Sequence, residues 1–238
     1  MDHVQRLRRR ASRLTAAATL GLILAAAATP DASCLTVGPE GIRFGLVRVD
    51  AGARTASFPA YVNMTNGILE YAVVTDYGKV HESLLFTEAK PMDVQSALLL
   101  LNARPVGTNG LDLPSDRQPA ASRVALRVVW EENGRRVERA LPDLIRLTEG
   151  PHGAITGALA PGPWLFNGSM ISAEGFAAHF EGSLISLIRD PVAIVNNPHP
   201  SRDDDEIHVP DPGQVPGVGT PVTVEITVPR TESAPAEP

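Results

Sequence analysis

Two segments of the sequence carry residue types that could bind a ligand or perform acid–base chemistry. The first is "KVHESLL", where His81 and Glu82 interrupt an otherwise apolar strand pattern. The second is "NNPHPSRDDDEIHVPDP", which contains four consecutive acids, Asp203 to Glu206. Neighbouring carboxylates repel one another and need either full solvation or counter-charges. These two segments are therefore the places where a functional site is expected.

Glu82 is the stronger candidate in the first segment. If residues 80–86 form a strand, side chains alternate between its faces, and Glu82 shares the apolar face with Leu84 and Phe86. His81 then lies on the other, mixed face. A carboxylate facing a core costs several kcal/mol unless it is paired or neutralised. Glu82 therefore needs an arginine, backbone N–H donors, a metal or a solvent-filled pocket; the competing interpretation is a buried ion pair or a strand-edge acid.

The acidic run lies in a proline-rich loop and admits three interpretations. Ca²⁺ prefers several carboxylate and carbonyl oxygens from irregular loops, so Asp203, Asp205 and Glu206 are candidate ligands for Ca²⁺ or another divalent cation. The run does not match the EF-hand pattern. The alternatives are a solvated acidic loop, or a loop tied to the sheet by Arg202 and the acids. The candidate ligand-site residues are Glu82, His81, Arg202 and Asp204.

Several other functions lack their motifs in this sequence. There is no GxSxG elbow, P-loop, GxGxxG or HExxH pattern, so no catalytic residue is assigned. The net charge is −6, and removal of residues 1–32, with five arginines and two acids, would bring it to −9. An acidic domain without a basic stripe excludes nucleic-acid binding as a main role.

The N-terminal segment has the pattern of a secretory signal peptide, assigned to residues 1–33. A basic patch precedes an uncharged run, Leu14–Thr29, which is too short to span a bilayer comfortably, and small residues follow. The sequence therefore predicts an exported, periplasmic or extracellular protein. Contact with a membrane is expected only through an uncleaved signal or a lipidated Cys34, and Asp31 fits a lipoprotein signal poorly.

The chain beyond the signal is predicted to be one β-rich domain over residues 35–229, followed by a disordered tail at 230–238. Alternating patterns predict strands at 42–50, 54–63 and 220–229. Three hairpins are expected, at 68–88 through Gly78, at 122–142 through Asn133–Gly134, and at 163–188 through "MISAEG".

One amphipathic helix is predicted at about 91–102. Pro91 suits the first helical position, Asp93 in the first turn meets the positive end of the helix dipole, and apolar residues follow at helical spacing. Short helical turns are predicted at 142–146 and 191–195. The fold class is α+β and mainly antiparallel β, a sandwich or partly open barrel with the helix covering one face.

Two stretches carry a resemblance to a known family. "GILEYAVVTDYGKVHESLLFTEAKPMDVQSALLLL" and "GSLISLIRDPVAIVNNPHPSRDDDEIHVP" resemble the YdjY-domain family of bacterial exported proteins. The resemblance covers most of residues 35–229, with "GKVHESL" and "NNP…RDDDE" as its specific segments. The resemblance implies that the protein is exported, but it does not indicate a chemical reaction. Some relatives are labelled as ferredoxin-like iron–sulfur proteins, but the single Cys34 leaves no set of ligands for a cluster here.

The leading hypothesis is an exported, non-enzymatic domain that binds a small ligand, an ion or an envelope partner. One alternative is a metal-assisted hydrolase in which Glu82, His81 and the acids 203–206 converge in one cleft. The other alternative is a purely structural envelope protein.

Overall fold

The computed structural model describes residues 35–39, 41–114 and 117–230. The chain divides into two units between Ala32 and Ser33, and every described residue belongs to the second. The predicted signal peptide at 1–33, Cys34 and all of the predicted tail except Arg230 lie outside the described residues. In the part of the chain that is described, no helix is long and apolar enough to cross a membrane.

The described residues form seventeen strands, three α-helices and several 3₁₀ turns. The strands are β1 (Leu35–Gly38), β2 (Gly41–Phe44), β3 (Val47–Asp50), β4 (Thr55–Val62), β5 (Tyr71–Thr75), β6 (Ser83–Thr87), β7 (Arg123–Glu132), β8 (Arg135–Ala140), β9 (Ile145–Thr148), β10 (Ile155–Ala158), β11 (Trp164–Phe166), β12 (Ile171–Ser172), β13 (Gly175–Phe176), β14 (Ser183–Ser186), β15 (Val195–Asn196), β16 (His208–Pro210) and β17 (Pro221–Thr227). The helices are α1 (Pro91–Leu100), α2 (Gly107–Gly110) and α3 (Ala177–Glu181). The 3₁₀ turns lie at Val80–Glu82, Ala120–Ser122, Leu141–Leu144 and Pro200–Asp203.

Eight of the strands form a closed barrel. Their order is β4–β17–β7–β11–β15–β14–β5–β6, and pairing of β6 with β4 completes the ring. All neighbours are antiparallel except two parallel pairs, β5 with β6 and β14 with β15. The predicted α+β class with a mainly antiparallel sheet is confirmed, and the barrel is closed rather than partly open.

The barrel interior is filled by alternate side chains, which explains the period-two patterns of the sequence. On β4, Phe58 and Val62 are buried while Pro59 and Tyr61 are exposed. The closing strand β17 alternates in the same way. Trp164 on β11 is almost completely buried and is the largest of the fully buried side chains among the described residues. Burial of these apolar faces is the main favourable term in folding.

The predicted helix is confirmed as α1, with Pro91 at its first position. It contacts the β2–β3 hairpin, and Val94 and Leu98 lie in the core. Asp93 is buried rather than a solvated charge at the helix terminus, with only 2% of its surface exposed. It lies against Gly45, whose positive φ and missing Cβ atom let the chain pass close to the Asp93 carboxylate.

Two of the three predicted hairpins are wrong. The β7–β8 hairpin forms as expected, with Asn133 and Gly134 both at positive φ, as a type I′ turn requires. By contrast, β5 and β6 run parallel, and Gly78 does not adopt a positive φ. In the third case β11 and β14 each pair with β15 instead of with each other, and "ISAEGF" forms a separate small β12–β13 hairpin.

The shorter predictions had mixed outcomes. The strand predicted at 42–50 is itself a tight hairpin, because Gly45 at positive φ turns the chain between β2 and β3. The helical turn predicted at 142–146 is present as the 3₁₀ turn Leu141–Leu144. The one predicted at 191–195 is wrong, because those residues form a turn that leads into β15.

Candidate functional site

The two segments singled out in the sequence converge at one end of the barrel. There Tyr71, Ser83, Ser186 and Asn196 are paired across the four neighbouring strands β6, β5, β14 and β15. We call this region the site end. Its centre is the backbone of Glu70, whose N–H donates to the Glu82 carbonyl at 2.9 Å and whose carbonyl accepts from the Leu187 N–H at 2.8 Å.

His81 and Glu82 do not lie on a strand. The chain must return from the end of β5 to the start of the parallel β6 within residues 76–82, and it does so through the 3₁₀ turn Val80–Glu82. The Asn63 amide donates to the carbonyls of Val80 and Ser83 and fixes this turn. The predicted face assignment is therefore wrong: 21% of the Glu82 side chain and 78% of the His81 side chain are exposed.

Glu82 forms a carboxyl pair with Glu70. The pKa of Glu70 is raised, first by burial, then by the negative charge of Glu82 and by a hydrogen bond between the two carboxyl groups. Lys79 opposes this rise, and Asp205 of the acidic loop adds a weaker repulsion. Glu70 therefore accepts a proton more readily than an isolated glutamate does.

A chain of polar contacts lies beside this carboxyl pair. Lys79 Nζ is 4.0 Å from Glu82 Oε1 and donates to Tyr71 Oη at 2.9 Å. The Tyr71 hydroxyl donates in turn to Asp190 Oδ2 at 3.1 Å. Burial, and secondarily Asp190, raises the pKa of Tyr71 to about 12, so its hydroxyl keeps its proton. His81 Nε2 is 3.6 Å from Glu82 Oε2.

The acids of the second segment have separate structural contacts. Asp203 Oδ1 accepts from Arg189 at 2.7 and 3.0 Å, and Asp204 Oδ1 accepts from the backbone N–H of Glu206 at 3.0 Å. Asp205 is the acid of this run that acts on Glu70. Within residues 35–39, 41–114 and 117–230, no three His, Cys, Asp or Glu side chains are arranged to hold a metal ion. The structure thus brings Asp205, but not a converging set of acids, to the carboxyl pair.

Arg202 is buried and positions the acidic loop. Its Nη2 donates to the Leu111 carbonyl at 2.6 Å, and its own carbonyl accepts from the Arg189 N–H at 2.9 Å. Burial and the neighbouring Arg189 lower the pKa of Arg202, although a guanidinium retains its charge under all ordinary conditions. Arg202 thus ties the loop to the segment that follows α2 and to the loop that follows β14, rather than to a strand of the sheet.

The asparagines of "NNP" hold the loops of the site end in place, a role that the sequence did not reveal. Asn196 Nδ2 donates to Asn167 Oδ1 at 2.7 Å and to the Asp190 carbonyl at 2.8 Å, while its Oδ1 accepts from the Asp190 N–H. Asn197 donates to the Leu187 carbonyl and accepts from the His199 N–H. Because Asn196, Asn197 and their partner Asn167 are all fully buried, water does not compete for these hydrogen bonds.

His208 is a second residue of the site end that sequence reasoning missed. It lies at the start of β16, and its carbonyl accepts from the Leu69 N–H at 2.9 Å. The imidazole is fully buried, and neither nitrogen has a hydrogen-bond partner among the described residues. Burial lowers the pKa of His208 to about 4, against a weaker opposing effect of Asp204. The ring is therefore neutral at physiological pH.

Comparison with known proteins identifies one family. A family model described as the YdjY domain matches residues 47–227, which include the whole closed barrel and both segments of the site end. This match confirms the resemblance drawn from "GKVHESL" and "NNP…RDDDE". No curated protein and no solved structure matches the chain.

Proposed function

The chain belongs to the YdjY domain family, and we propose that it is an exported, non-enzymatic binding module whose site end takes up a cationic group. The observation that carries the proposal is the Glu70–Glu82 carboxyl pair. Two carboxyl groups in hydrogen-bond contact repel one another once both are ionised. A positive group placed between them would remove that repulsion.

The existing cations around the pair compensate it only in part. Lys79 is 4.0 Å from Glu82, and its ammonium group is already engaged with the Tyr71 hydroxyl. His81 is 3.6 Å from the same carboxylate, but its side chain is largely exposed, and water screens such a contact. Burial and Glu82 keep the pKa of Glu70 raised despite Lys79, so this ammonium group does not offset the two effects that disfavour the ionised carboxyl.

The donor set favours an organic cation over a metal ion. Ca²⁺ takes six to eight oxygens and Zn²⁺ usually four ligands, whereas the pair supplies two carboxyl groups. An ammonium or guanidinium group needs only two or three acceptors. The hydrolase alternative required His81, Glu82 and the acids 203–206 in one cleft. Asp203 and Asp204 make separate contacts with Arg189 and the Glu206 backbone, so the geometry offers that reaction no support.

Export is proposed from the N-terminal pattern of the sequence. The basic patch and the uncharged run Leu14–Thr29 supply the signal, and the acidic balance of the rest suits a binding partner of opposite charge. The partner class is a small cation or a basic segment of an envelope protein.

Thermal melting with spermidine, and separately with CaCl₂, tests the proposal. A ligand at 100 Kd that binds only the folded state adds about 2.7 kcal/mol, or roughly 5–10 °C in a protein of this size. We expect spermidine to raise the Tm of the wild type and of the control Glu132→Gln, whose side chain is exposed at the β7–β8 turn. Glu82→Gln should lose the shift.

Three outcomes would contradict the proposal. An unchanged Tm of the wild type with spermidine would show that the site end takes up no organic cation. An equal shift in Glu82→Gln would show attraction to the net negative charge of the chain rather than binding at the pair. A Glu82-dependent shift with CaCl₂ alone would replace the organic cation by a metal ion.

A further inference from the structure

Lys79 places an ammonium group beside the carboxyl pair of Glu70 and Glu82. Its Nζ is 4.0 Å from Glu82 Oε1, at the outer limit of an ion pair, and donates to Tyr71 Oη at 2.9 Å. The same nitrogen is 5.0 Å from the centroid of the Tyr71 ring, which is within the range of a cation–π contact. One carboxylate, one phenolic oxygen and one aromatic face therefore contact a single cationic group. We call the place of this nitrogen the ammonium position.

The backbone of Lys79 is fixed, whereas its side chain reaches solvent. The Lys79 carbonyl accepts from Ser83 Oγ at 2.6 Å and from the Glu82 N–H at 3.3 Å. The Lys79 side chain is 43% exposed, so its ammonium group can exchange these contacts for water while the turn stays in place. An ion pair as exposed as this one restricts a lysine side chain only weakly. The ammonium position can therefore be vacated without any change of fold.

The hydrogen bonds around the ammonium position select a cationic donor. The Tyr71 hydroxyl directs its own proton to Asp190 Oδ2 at 3.1 Å, so Tyr71 Oη can only accept a hydrogen bond from Lys79. An ionised carboxylate, such as that of Glu82, is likewise an acceptor only. A primary ammonium group has three donors and no acceptor, which matches these partners, whereas an anion would be repelled by Glu82. The position therefore suits an ammonium group from any source, including one from another molecule.

We propose that Lys79 occupies the place of the ligand's cationic group, and that an external primary ammonium group binds at the site end by displacing it. Lys79 is then a tethered competitor, which its short link to the turn keeps at a high effective concentration. A simple monoamine offers only the contacts that Lys79 already makes and binds weakly. A molecule with several ammonium groups adds further contacts and binds more tightly. The inference rests on the proposed function and names Lys79 as the residue that sets its affinity and its preference for polyamines.

One experiment vacates the ammonium position and refills it. Lys79→Ala removes three carbons and the nitrogen, which are the heavy atoms of n-propylamine. The side-chain carboxyl signal of Glu82 is followed by NMR while n-propylamine hydrochloride is added up to about 100 mM, which exceeds the millimolar effective concentration of a short tether. We expect a saturable shift in Lys79→Ala and at least about tenfold weaker binding to the wild type, where the tethered amine competes. The uncharged n-propanol and equal concentrations of NaCl should give no saturable shift.

A second experiment measures the competition with spermidine. We expect Lys79→Ala to lower the Kd of spermidine about fivefold, the factor by which an exposed ion pair favours its own contact at most. Lys79→Arg retains a tethered cation and should bind spermidine as the wild type does. Arg189→Gln is the matched control: it removes an equal charge from the site end, where Arg189 pairs with Asp112 and Asp203 rather than with Glu82, and should leave the Kd unchanged. Lys79→Gln repeats the measurement should Lys79→Ala fail to fold.

The outcomes separate this inference from the proposed function. No saturable propylamine shift in Lys79→Ala, equal shifts in the wild type, or an equal or higher spermidine Kd in Lys79→Ala would each overturn the inference. The binding module would survive these results as long as Glu82→Gln abolishes the effect of spermidine. An equal gain of affinity in Arg189→Gln would also overturn the inference, because net charge alone would then explain it. Absence of spermidine binding to both the wild type and Lys79→Ala would remove the proposed function and the inference together.

Discussion

Two charged regions of the barrel respond in opposite ways to their surroundings. On the outer face of β7, β8 and β17, Arg127, Arg136, Glu138 and Glu225 form an alternating network, which we call the outer network. Its arginines lower the pKa of Glu138. At the site end the pKa of Glu70 is raised instead. Each acid of the outer network faces two arginines. Glu70 is instead partly buried and faces another acid, Glu82, whose effect outweighs that of Lys79.

The acids of the outer network are thus paired with arginines, whereas the carboxyl groups of the site end can still interact with an added cation. Exposed ion pairs are worth little because water and salt screen them, so the outer network serves the solubility of the sheet surface more than its stability. At the site end, burial and the neighbouring Glu82 together disfavour the ionised form of Glu70, so a positive group added there would be stabilised. The density of charged residues in the sequence does not distinguish the two, because "RRVER" is as charged as the acidic loop.

The largest effect is expected at Asn196, one of the buried asparagines that hold the loops of the site end in place. Asn196→Ala leaves the Asp190 N–H, the Asp190 carbonyl and Asn167 Oδ1 without their partner in a buried region. We expect the free energy of unfolding to fall by about 3 kcal/mol or more, measured by urea denaturation. The exposed control Asn66→Ala should change it by less than about 0.5 kcal/mol. A similar small change for Asn196→Ala would mean that the loops are held by other contacts.

His208 should make the site end sensitive to acid. Its folded pKa of about 4 lies below the ordinary value of 6.5, so its stabilising contribution is present above pH 6.5 and is lost as the pH falls towards 4. Between pH 7 and pH 5 the loss is about 2 kcal/mol. His208→Leu should remove this part of the pH dependence, as seen by urea denaturation at both pH values. An unchanged pH dependence in the variant, matching that of the control His152→Gln, would show that the imidazole is accessible to water.

Glu70 should give a smaller effect of opposite sign. Because its folded pKa is raised, its stabilising contribution is present below the unfolded value of 4.5 and is lost as the pH rises through the folded pKa. Glu70→Gln removes that loss and should raise the unfolding free energy at pH 7 by about 0.5 kcal/mol after screening is discounted. Denaturation at pH 4 and pH 7 measures it. Destabilisation at pH 7 would mean that the carboxylate of Glu70 is already compensated.

The outer network should give the smallest effect. The lowered pKa of Glu138 means that its contribution is present above pH 4.5 and is lost only as the pH falls through the lower folded pKa. Glu138→Gln and Arg136→Gln should leave the urea midpoint at pH 7 within error of the exposed control Arg135→Gln. A shift as large as that of Asn196→Ala would remove the contrast between the two regions.

Local sequence signals predicted the elements that depend on local geometry. Asn133–Gly134 specified its turn through positive φ at both residues, and Pro91 specified the start of α1. Closure of the barrel depends on the β4–β6 pairing, which no local pattern encodes. Gly78 was wrongly predicted to form a hairpin turn. Glycine suits this position for a different reason, namely close packing: a Cβ atom there would be 3.1 Å from the backbone carbonyl oxygen of Gly182.

The same distinction applies to the site. Glu82 and Asp205 were predicted as candidates from unusual residue types in their segments, and the fold brings both to Glu70. Glu70 itself lies in an ordinary strand entry, "GILEY", and carries no signal of its own. Its role arises from the parallel return of β6, which places the backbone of Glu82 beside it. Pairings between distant segments were therefore the missing information.

The central claim is tested most directly by following the side-chain carboxyl signals of Glu70 and Glu138 through a pH titration by NMR, with and without spermidine. The account predicts that Glu70 titrates above 4.5 in the free protein and at a lower pH with spermidine, while Glu138 titrates below 4.5 in both cases. A Glu70 carboxyl that titrates at or below 4.5, or whose titration spermidine leaves unchanged, would contradict it.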